Sequence, residues 1–228
     1  MFTEEPFESI EYKDFSEKEV VADEDNEQSL FVFTSPSEDY TLVRNCGWGT
    51  VDTGSKDLKY KNKILMEGDD FNSTLERAIE LDLDGNGLND CVVFRQYFGN
   101  SIAVLQGKVD IFLRFSETEF QHIYYEGFCI GSEDFVDMDK DGKSEIIRLD
   151  LVRGADKKGK EHNYWGYNIY ELVDGKMVNA NEKYEGFPKY VWYTEKHNDK
   201  DTSHLTKEYR EKLAKEQYSK IEQEKIRI

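Results

Sequence analysis

Short runs of apolar and aromatic residues, separated by polar turns, are the dominant pattern along this chain. The runs are rich in β-branched and aromatic side chains, which favour strands over helices. Seven strands are predicted on this basis: Leu30–Phe33, Tyr40–Val43, Cys91–Phe98, Val109–Phe115, Glu145–Val152, Tyr167–Leu172 and Tyr190–Tyr193. We therefore expect a mainly β fold.

Two segments carry helical signals instead. An Asn-Ser-Thr sequence can cap a short helix, which we predict over Asn72–Ala78. The tail from Thr206 to about Lys225 has high helix propensity and a thin apolar stripe, so it predicts a C-terminal α-helix. The expected organisation is a loosely held acidic arm over residues 1–29, a single β domain over residues 30–195, and a polar linker with the helix over residues 196–228.

Net charge and hydropathy narrow the range of partners. The 228 residues include 48 acidic and 30 basic side chains, which gives a formal net charge of −18. Such a surface repels phosphate backbones and anionic lipid headgroups, so nucleic acid is not expected as a partner. No run approaches the roughly 18 apolar residues that a membrane span requires, and no span is expected.

An internal repeat organises the centre of the chain. Two acidic loops open at Asp82 and Asp137, and the sequence Tyr-Glu-Gly-Phe occurs at residues 125–128 and again at 184–187. A unit repeated at this spacing predicts two similar supersecondary structures. We place the repeats at about residues 70–128 and 129–187.

Both acidic loops have the pattern Asp-x-Asp-x-Asn/Asp-Gly-x-x-Asp/Glu, and we name them loop 1 (Asp82–Asp90) and loop 2 (Asp137–Glu145). Calcium takes six to eight oxygen ligands at roughly 2.3 to 2.6 Å, so a short loop must turn several oxygens inward. Alternate side chains do this, the glycine permits the turn, and the next residue offers its carbonyl. The predicted ligands of two Ca²⁺ ions are Asp82, Asp84, Asn86, the Leu88 carbonyl and Asp90 in loop 1, and Asp137, Asp139, Asp141, the Lys143 carbonyl and Glu145 in loop 2.

An EF-hand loop begins in the same way, but it needs a bidentate Glu at position twelve and a helix on each side. Position twelve is Val93 in loop 1 and Arg148 in loop 2, and each loop leads into a strand sequence. These loops are therefore not EF-hands.

The segments Ile79–Val93 and Phe135–Ile147 resemble the integrin-type FG-GAP, or VCBS-like, calcium-binding repeat, and the resemblance covers about Leu75–Phe187. It implies a strand, a calcium loop and a second strand within one β-propeller blade. Blades come in sets of at least four, and this chain has room for about three. We expect two FG-GAP-like units in an open β assembly, not a closed propeller.

The same resemblance implies work outside the cytoplasm, where calcium is abundant: in the periplasm, at the cell surface or as a secreted protein. No export signal is visible at the start of this sequence, so a cytoplasmic location is the alternative. If the protein is exported, a disulfide between Cys46 and Cys129 is possible.

Two classes of function stay open. A calcium-stabilised, non-catalytic module would bind a protein or carbohydrate, with aromatics such as Tyr190 and Trp192 either exposed for this purpose or packed in the core. A small hydrolase, or a hydrolase accessory domain that uses calcium structurally, needs a histidine in a cleft beside Cys46 or a carboxylate. None of His122, His162, His197 and His204 lies in a diagnostic motif. We therefore favour the binding module.

Overall fold

The computed structural model is mainly β, as predicted, and the strands among the residues that it describes form three open sheets. It describes residues 8–23, 28–47, 56–67, 73–97, 105–156, 158–192, 205, 211–213 and 221–228. A short helical segment lies near the C terminus, at residues 211–213. No helix within these ranges is long and apolar enough to cross a membrane.

Every strand pairing between described residues is antiparallel. The strands are β1 (Glu8–Ser9), β2 (Lys13–Asp14), β3 (Ser16–Asp23), β4 (Gln28–Thr34), β5 (Tyr40–Gly47), β6 (Lys56–Tyr60), β7 (Lys63–Met66), β8 (Ser73–Leu81), β9 (Asp90–Tyr97), β10 (Gln106–Arg114), β11 (Glu119–Phe128), β12 (Phe135–Asp137), β13 (Glu145–Ala155), β14 (Glu161–Val173), β15 (Lys176–Asn179), β16 (Lys189–Trp192) and β17 (Glu222–Arg227). The N-terminal sheet has the order β3-β4-β5-β6-β7, and the central sheet β17-β11-β10-β9-β8-β2. The C-terminal sheet has the order β1-β12-β13-β14-β15, with β16 paired to β14.

The central sheet lies between the other two, because both of its faces are apolar. On one face, Ile79 and Ile111 belong to a buried cluster that also contains Ile146 of the C-terminal sheet. On the other face, Phe112 packs in a cluster with Leu58 of the N-terminal sheet. Successive side chains of a strand point to opposite faces, so a single sheet supports both cores. The three sheets therefore stack face to face.

The first described residues tie two sheets together. Strand β1 pairs with β12 of the C-terminal sheet, and β2 pairs with β8 of the central sheet. Arg77 of β8 holds Asp14 of β2 through hydrogen bonds of 2.5 and 2.9 Å, and it donates a third to Ser132 at 2.8 Å. The prediction of a loosely held arm is therefore wrong for residues 8–23. Their backbone groups pair with strands whatever the charge of their side chains.

Each of the seven predicted strands is present, with ends that differ by a few residues, but the helix predicted over Asn72–Ala78 is wrong. From Ser73 onward this segment is strand β8, which pairs with β9 along its length. Its side chains alternate, with Ala78 packed towards the N-terminal sheet and Ile79 towards the C-terminal sheet. Pairing within the sheet overrides the local capping signal.

The predicted C-terminal helix is wrong at its end. Residues 211–213 are helical, but Glu222–Arg227 is strand β17, which pairs with the edge of β11. Ile226 packs against the core between the N-terminal and central sheets. The Glu-, Gln- and Lys-rich composition favours a helix only weakly, and an open strand edge competes with it successfully.

Two four-stranded meanders occupy the segments in which the sequence predicts a repeat. Strands β8–β11 form the first and β12–β15 the second, and in each the acidic loop joins the first two strands. The two Tyr-Glu-Gly-Phe sequences are not equivalent: residues 125–128 end β11, whereas residues 184–187 lie in a turn after the short β15. The loops therefore mark the equivalent positions of the two units.

Candidate metal centre

Loops 1 and 2 lie side by side at one end of the stacked sheets. The Ser144 N–H of loop 2 donates to the Leu83 carbonyl of loop 1 at 2.8 Å. Gly85 of loop 1 faces Gly142 and Lys143 of loop 2. Stacking of the central and C-terminal sheets thus brings the two acidic loops into direct contact.

The first carboxylate of each loop is held by the backbone of the same loop. One oxygen accepts the N–H of the fifth residue, and the other oxygen accepts the N–H of the sixth. The distances are 3.1 and 2.8 Å for Asp82 with Asn86 and Gly87, and 3.1 and 3.0 Å for Asp137 with Asp141 and Gly142. A carboxylate has about four lone-pair sites, so both groups keep oxygen lone pairs for a cation.

The third and fifth side chains repeat the same arrangement. The third residue accepts the N–H of the fifth at 3.2 Å in each loop, and the fifth accepts the N–H of the seventh. These acceptors are Asp84 and Asn86 in loop 1, with Leu88 as the seventh residue at 2.7 Å, and Asp139 and Asp141 in loop 2, with Lys143 at 2.9 Å. The two loops therefore fold alike, although one has an amide where the other has a carboxylate.

The ninth residue of each loop reaches back to the second. Asp90 is fully buried; its Oδ2 accepts the Leu83 N–H at 2.8 Å and its Oδ1 accepts the Arg114 N–H at 2.7 Å. Glu145 is also buried, and it accepts the Met138 N–H at 2.6 Å. The longer Glu side chain thus reaches the same backbone position that Asp reaches in loop 1.

Two left-handed residues shape each turn. Gly87 and Gly142 both have φ +82°, where glycine is strongly favoured. Two residues earlier the chain is again left-handed, at Gly85 with φ +70° and Lys140 with φ +65°. These turns direct alternate side chains to the same side of the loop.

Three carboxylates converge in each loop. Single oxygens of Asp82, Asp84 and Asp90 lie within 4.8 Å of one another, and so do those of Asp137, Asp139 and Glu145. Asp141 lies outside the second group, and its Oδ1 accepts the Lys143 N–H. Lys143 is exposed and packs its Cγ near Gly85, while Leu88 is half-buried. The structure thus groups six of the predicted ligands.

Burial and mutual repulsion disfavour the charged forms of these carboxylates. Burial, and then the negative charges of Asp139 and Asp141, raise the pKa of Glu145 to about 7. Burial raises the pKa of Asp90 well above its ordinary value, and burial and neighbouring Asp82 raise that of Asp84. A bound cation would offset both effects. Because the donors are all oxygen atoms, a hard cation such as Ca²⁺ fits them better than a softer metal does.

Comparison with known proteins identifies no relative of this chain. No protein-family model, curated protein or solved structure matches this chain. The resemblance to the FG-GAP repeat therefore depends on the loop sequences, and the choice of metal depends on the donor atoms.

Away from the loops, a polar cleft of about 760 Å³ lies at the edge where the central and N-terminal sheets meet. It is lined by strands β9, β10, β11 and β17 and by the end of β7, through residues that include Met66, Glu67, Arg95, Lys108, Asp110, His122, Tyr124 and Glu224. Of the four histidines, His122 is the one this cleft contains. His162 contacts Asp156 in a turn, and His197 and His204 lie outside the described residues.

The floor of the cleft is a buried ion network that the sequence analysis missed. Asp110, 1% exposed, accepts hydrogen bonds from Arg95 Nε at 2.9 Å and from its NH2 group, and His122 Nε2 lies 2.9 Å from the other carboxylate oxygen. His122 Nδ1 is 3.3 Å from Glu224, and its ring stacks on Phe112. The sequence does contain one signal for this network. Asp110 lies two residues before the core residue Phe112 in the same strand, so its side chain points to the same buried face.

Stability should depend on the protonation of His122. Burial lowers its pKa, but the hydrogen bonds and charges of Asp110 and Glu224 outweigh burial and raise it. The stabilisation is therefore complete below about pH 6.5, the ordinary histidine value, and is lost as the pH rises through the higher folded-state pKa. We expect the melting temperature to fall over that range, and the fall to be smaller in His122→Gln. Thermal melts from pH 5.5 to 9 measure this, and identical profiles for the two proteins would contradict it.

The aromatic residues considered for a binding surface are largely interior where the structure describes them. Tyr164 and Tyr190 are buried in a cluster with Leu205 and Leu213, and Trp165 is half-buried with its ring against Phe128. These tyrosines are buried in a cluster of their own on the C-terminal sheet and cannot stack on a ligand. The side chain of Trp192 lies outside the described residues.

The thiols have no catalytic arrangement among the described side chains. Cys129 is exposed and free, so the disulfide with Cys46 is not formed, and Cys91 is buried in the core between the N-terminal and central sheets. Burial raises the pKa of the Cys91 thiol well above its ordinary value, which makes it inert.

Proposed function

We propose that this protein is a calcium-stabilised, non-catalytic interaction module of the FG-GAP type. The observation that carries the proposal is the repetition, residue by residue, of one hydrogen-bond pattern in loops 1 and 2, with three carboxylates within 4.8 Å in each. Two unrelated acidic turns have no physical reason to share it. A common requirement, an oxygen-lined cage for a hard cation, explains it.

In this proposal calcium stiffens the end of the sheet stack. Loop 1 also contacts the N-terminal sheet, since the Tyr40 hydroxyl donates to the Asn89 carbonyl at 2.7 Å. Asn89 in turn donates to the buried Glu80 at 3.0 Å. An ion in loop 1 therefore strengthens contacts of all three sheets, and a rigid stack presents its surfaces to a protein or carbohydrate partner.

The proposed location is outside the cytoplasm, in the periplasm, at the cell surface or in the extracellular medium. Short surface loops with three or four carboxylates, of which the last is buried, resemble the calcium sites of extracellular modules, whose dissociation constants are about 10⁻⁴ to 10⁻³ M. Calcium at such concentrations fills them, whereas resting cytosolic calcium leaves them empty. If the protein functioned only in the cytoplasm, the two loops would lack their calcium ions.

A hydrolase is the second candidate, because His122 lies in a cleft beside Asp110. The contacts argue against it. Both ring nitrogens face carboxylates, Asp110 on one side and Glu224 on the other, and these contacts favour the protonated ring over a free base. The described lining of the cleft contains no Ser, Thr or Cys nucleophile.

Thermal melts with calcium and with chelator test the proposal. At ten times the dissociation constant each site adds about 1.4 kcal/mol. Two sites then raise the melting temperature by about 6 to 12 °C for a chain of this size. We expect Asp139→Ala to lose at least half of this gain, since only one loop remains.

Asp156→Ala is the matched control. Asp156 also accepts backbone N–H groups in a turn, of Lys158 at 2.8 Å and Lys160 at 2.9 Å, but it belongs to neither carboxylate group. This variant should keep the whole calcium-dependent gain. Equal gains in Asp139→Ala and the control would contradict a calcium site in loop 2.

A further inference from the structure

A short path of backbone groups joins the last carboxylate of loop 1 to the last carboxylate of loop 2. Asp90 Oδ2 accepts the Leu83 N–H at 2.8 Å, and the Leu83 carbonyl accepts the Ser144 N–H at 2.8 Å. Ser144 directly precedes Glu145. Both ends of the path are proposed calcium ligands, and every step between them is one hydrogen bond or one residue.

Gly85 adds a second contact between the loops. A methyl group at this position would lie 3.2 Å from Lys143 Cγ and 3.3 Å from the Gly142 carbonyl oxygen. Loop 2 has Lys140 at the equivalent position with nearly the same positive φ. Loop 1 therefore has glycine here because the neighbouring loop is close, and not only because of the backbone angle.

Ser144 lies buried at this junction. Its side chain is 1% exposed, and its Oγ has no hydrogen-bond partner within the described ranges. A buried hydroxyl without a partner is unfavourable. Water in the coordination shell of an ion is a suitable partner, since buried waters satisfy such groups and calcium takes water among its ligands. The hydroxyl therefore needs a partner at this junction that the described residues do not supply.

We propose that the two loops bind calcium cooperatively, each ion raising the affinity of the other loop. Calcium that orders loop 1 fixes Leu83, which holds Ser144 and hence Glu145 in place, so the second ion meets a loop that is already ordered. Repulsion between the two ions acts in the opposite direction, but the turns at residues 85–87 and 139–143 are exposed, so salt screens part of it. This inference rests on the proposed function, because it requires calcium in both loops.

Calorimetric titration of chelator-stripped protein at about 0.15 M salt, near physiological ionic strength, tests the coupling. Asp84→Ala disables loop 1 and Asp139→Ala disables loop 2. We expect the surviving loop in each variant to bind calcium roughly tenfold more weakly than it does in the wild type with its neighbour filled. The two factors must be equal, because coupling between binding sites is reciprocal.

Substitution of two glycines in loop 1 distinguishes loss of coupling between the loops from backbone strain within loop 1. Gly85→Ala and Gly87→Ala both force alanine into a left-handed position, but a methyl group on Gly87 has no atom within 4 Å. For each glycine variant, the calcium affinity of loop 2 is measured with loop 1 intact and with loop 1 disabled by Asp84→Ala. The ratio of these two affinities is the coupling factor of that variant. We expect Gly87→Ala to weaken loop 1 and keep the tenfold factor, and Gly85→Ala to reduce the factor towards one. If Gly85→Ala does not fold, the two single-loop variants still decide the matter.

The outcomes separate the two proposals. Two ions bound with reciprocal tenfold coupling support the inference. Two ions bound with affinities unchanged by loss of the other loop overturn the coupling and leave the calcium scaffold intact. No calcium bound to the wild type overturns both.

Discussion

Asp90→Ala should destabilise the protein by about 3 kcal/mol even when calcium is absent. The substitution leaves the N–H groups of Leu83 and Arg114 without their acceptor in a fully buried position. Each such group costs about 1 to 3 kcal/mol. Urea unfolding in the presence of chelator measures the loss and removes any contribution from the ion.

Two variants at the same loop bracket this result. Asp90→Asn keeps one acceptor oxygen, so about half of the loss is expected. Asp84→Ala removes one hydrogen bond of 3.2 Å from a half-buried site and should cost below about 1 kcal/mol in chelator. Similar losses for Asp90→Ala and Asp84→Ala would show that the ninth residue has no structural role of its own.

Asp110→Ala should cost about 3 to 5 kcal/mol, the range for breaking a buried ion pair by removing one partner. Asp110 is 1% exposed and contacts both Arg95 and His122. Without it two cationic side chains face one another on a buried floor. Denaturant unfolding at pH 6 measures the loss of stability. NMR titration of His122 should show a lower pKa in Asp110→Ala than in the wild type, which would identify the missing carboxylate as the cause.

Glu224→Ala is the control for this network. Glu224 contacts the same histidine at 3.3 Å, but its side chain is 71% exposed. Exposed pairs contribute about 0 to 1 kcal/mol, so the loss should stay within that range. Equal losses for Asp110→Ala and Glu224→Ala would mean that burial does not set the strength of the network.

The sequence predicts the strands and loops of this fold better than its ends. Runs such as Leu30–Phe33 are strands because their own residues favour them, and the loop pattern repeats because a turn of nine residues is a local structure. Residues 73–78 of β8 and 222–225 of β17 fall within predicted helices because their local sequence favours a helix, but pairing with strands β9 and β11 makes them strands. Non-local pairing of this kind is invisible to a window of neighbouring residues.

The contact between the loops and the ion network could not be predicted, for the same reason. Ser144 meets Leu83 only because two sheets stack, and Arg95 meets Asp110 only because β9 and β10 pair in one register. A charged residue whose side chain faces the core indicates that it has a buried partner, but it does not identify that partner. The acidic loops can be predicted from the sequence because all the oxygen ligands of each loop come from one continuous segment.

Calcium titration of the chelator-stripped wild-type protein by calorimetry tests the central claim most directly. The geometry of loops 1 and 2 predicts two ions per chain, reduced to one in Asp139→Ala. Absence of binding heat in the wild type, with unchanged melts in calcium and in chelator, would make both loops ordinary acidic turns and contradict the calcium scaffold.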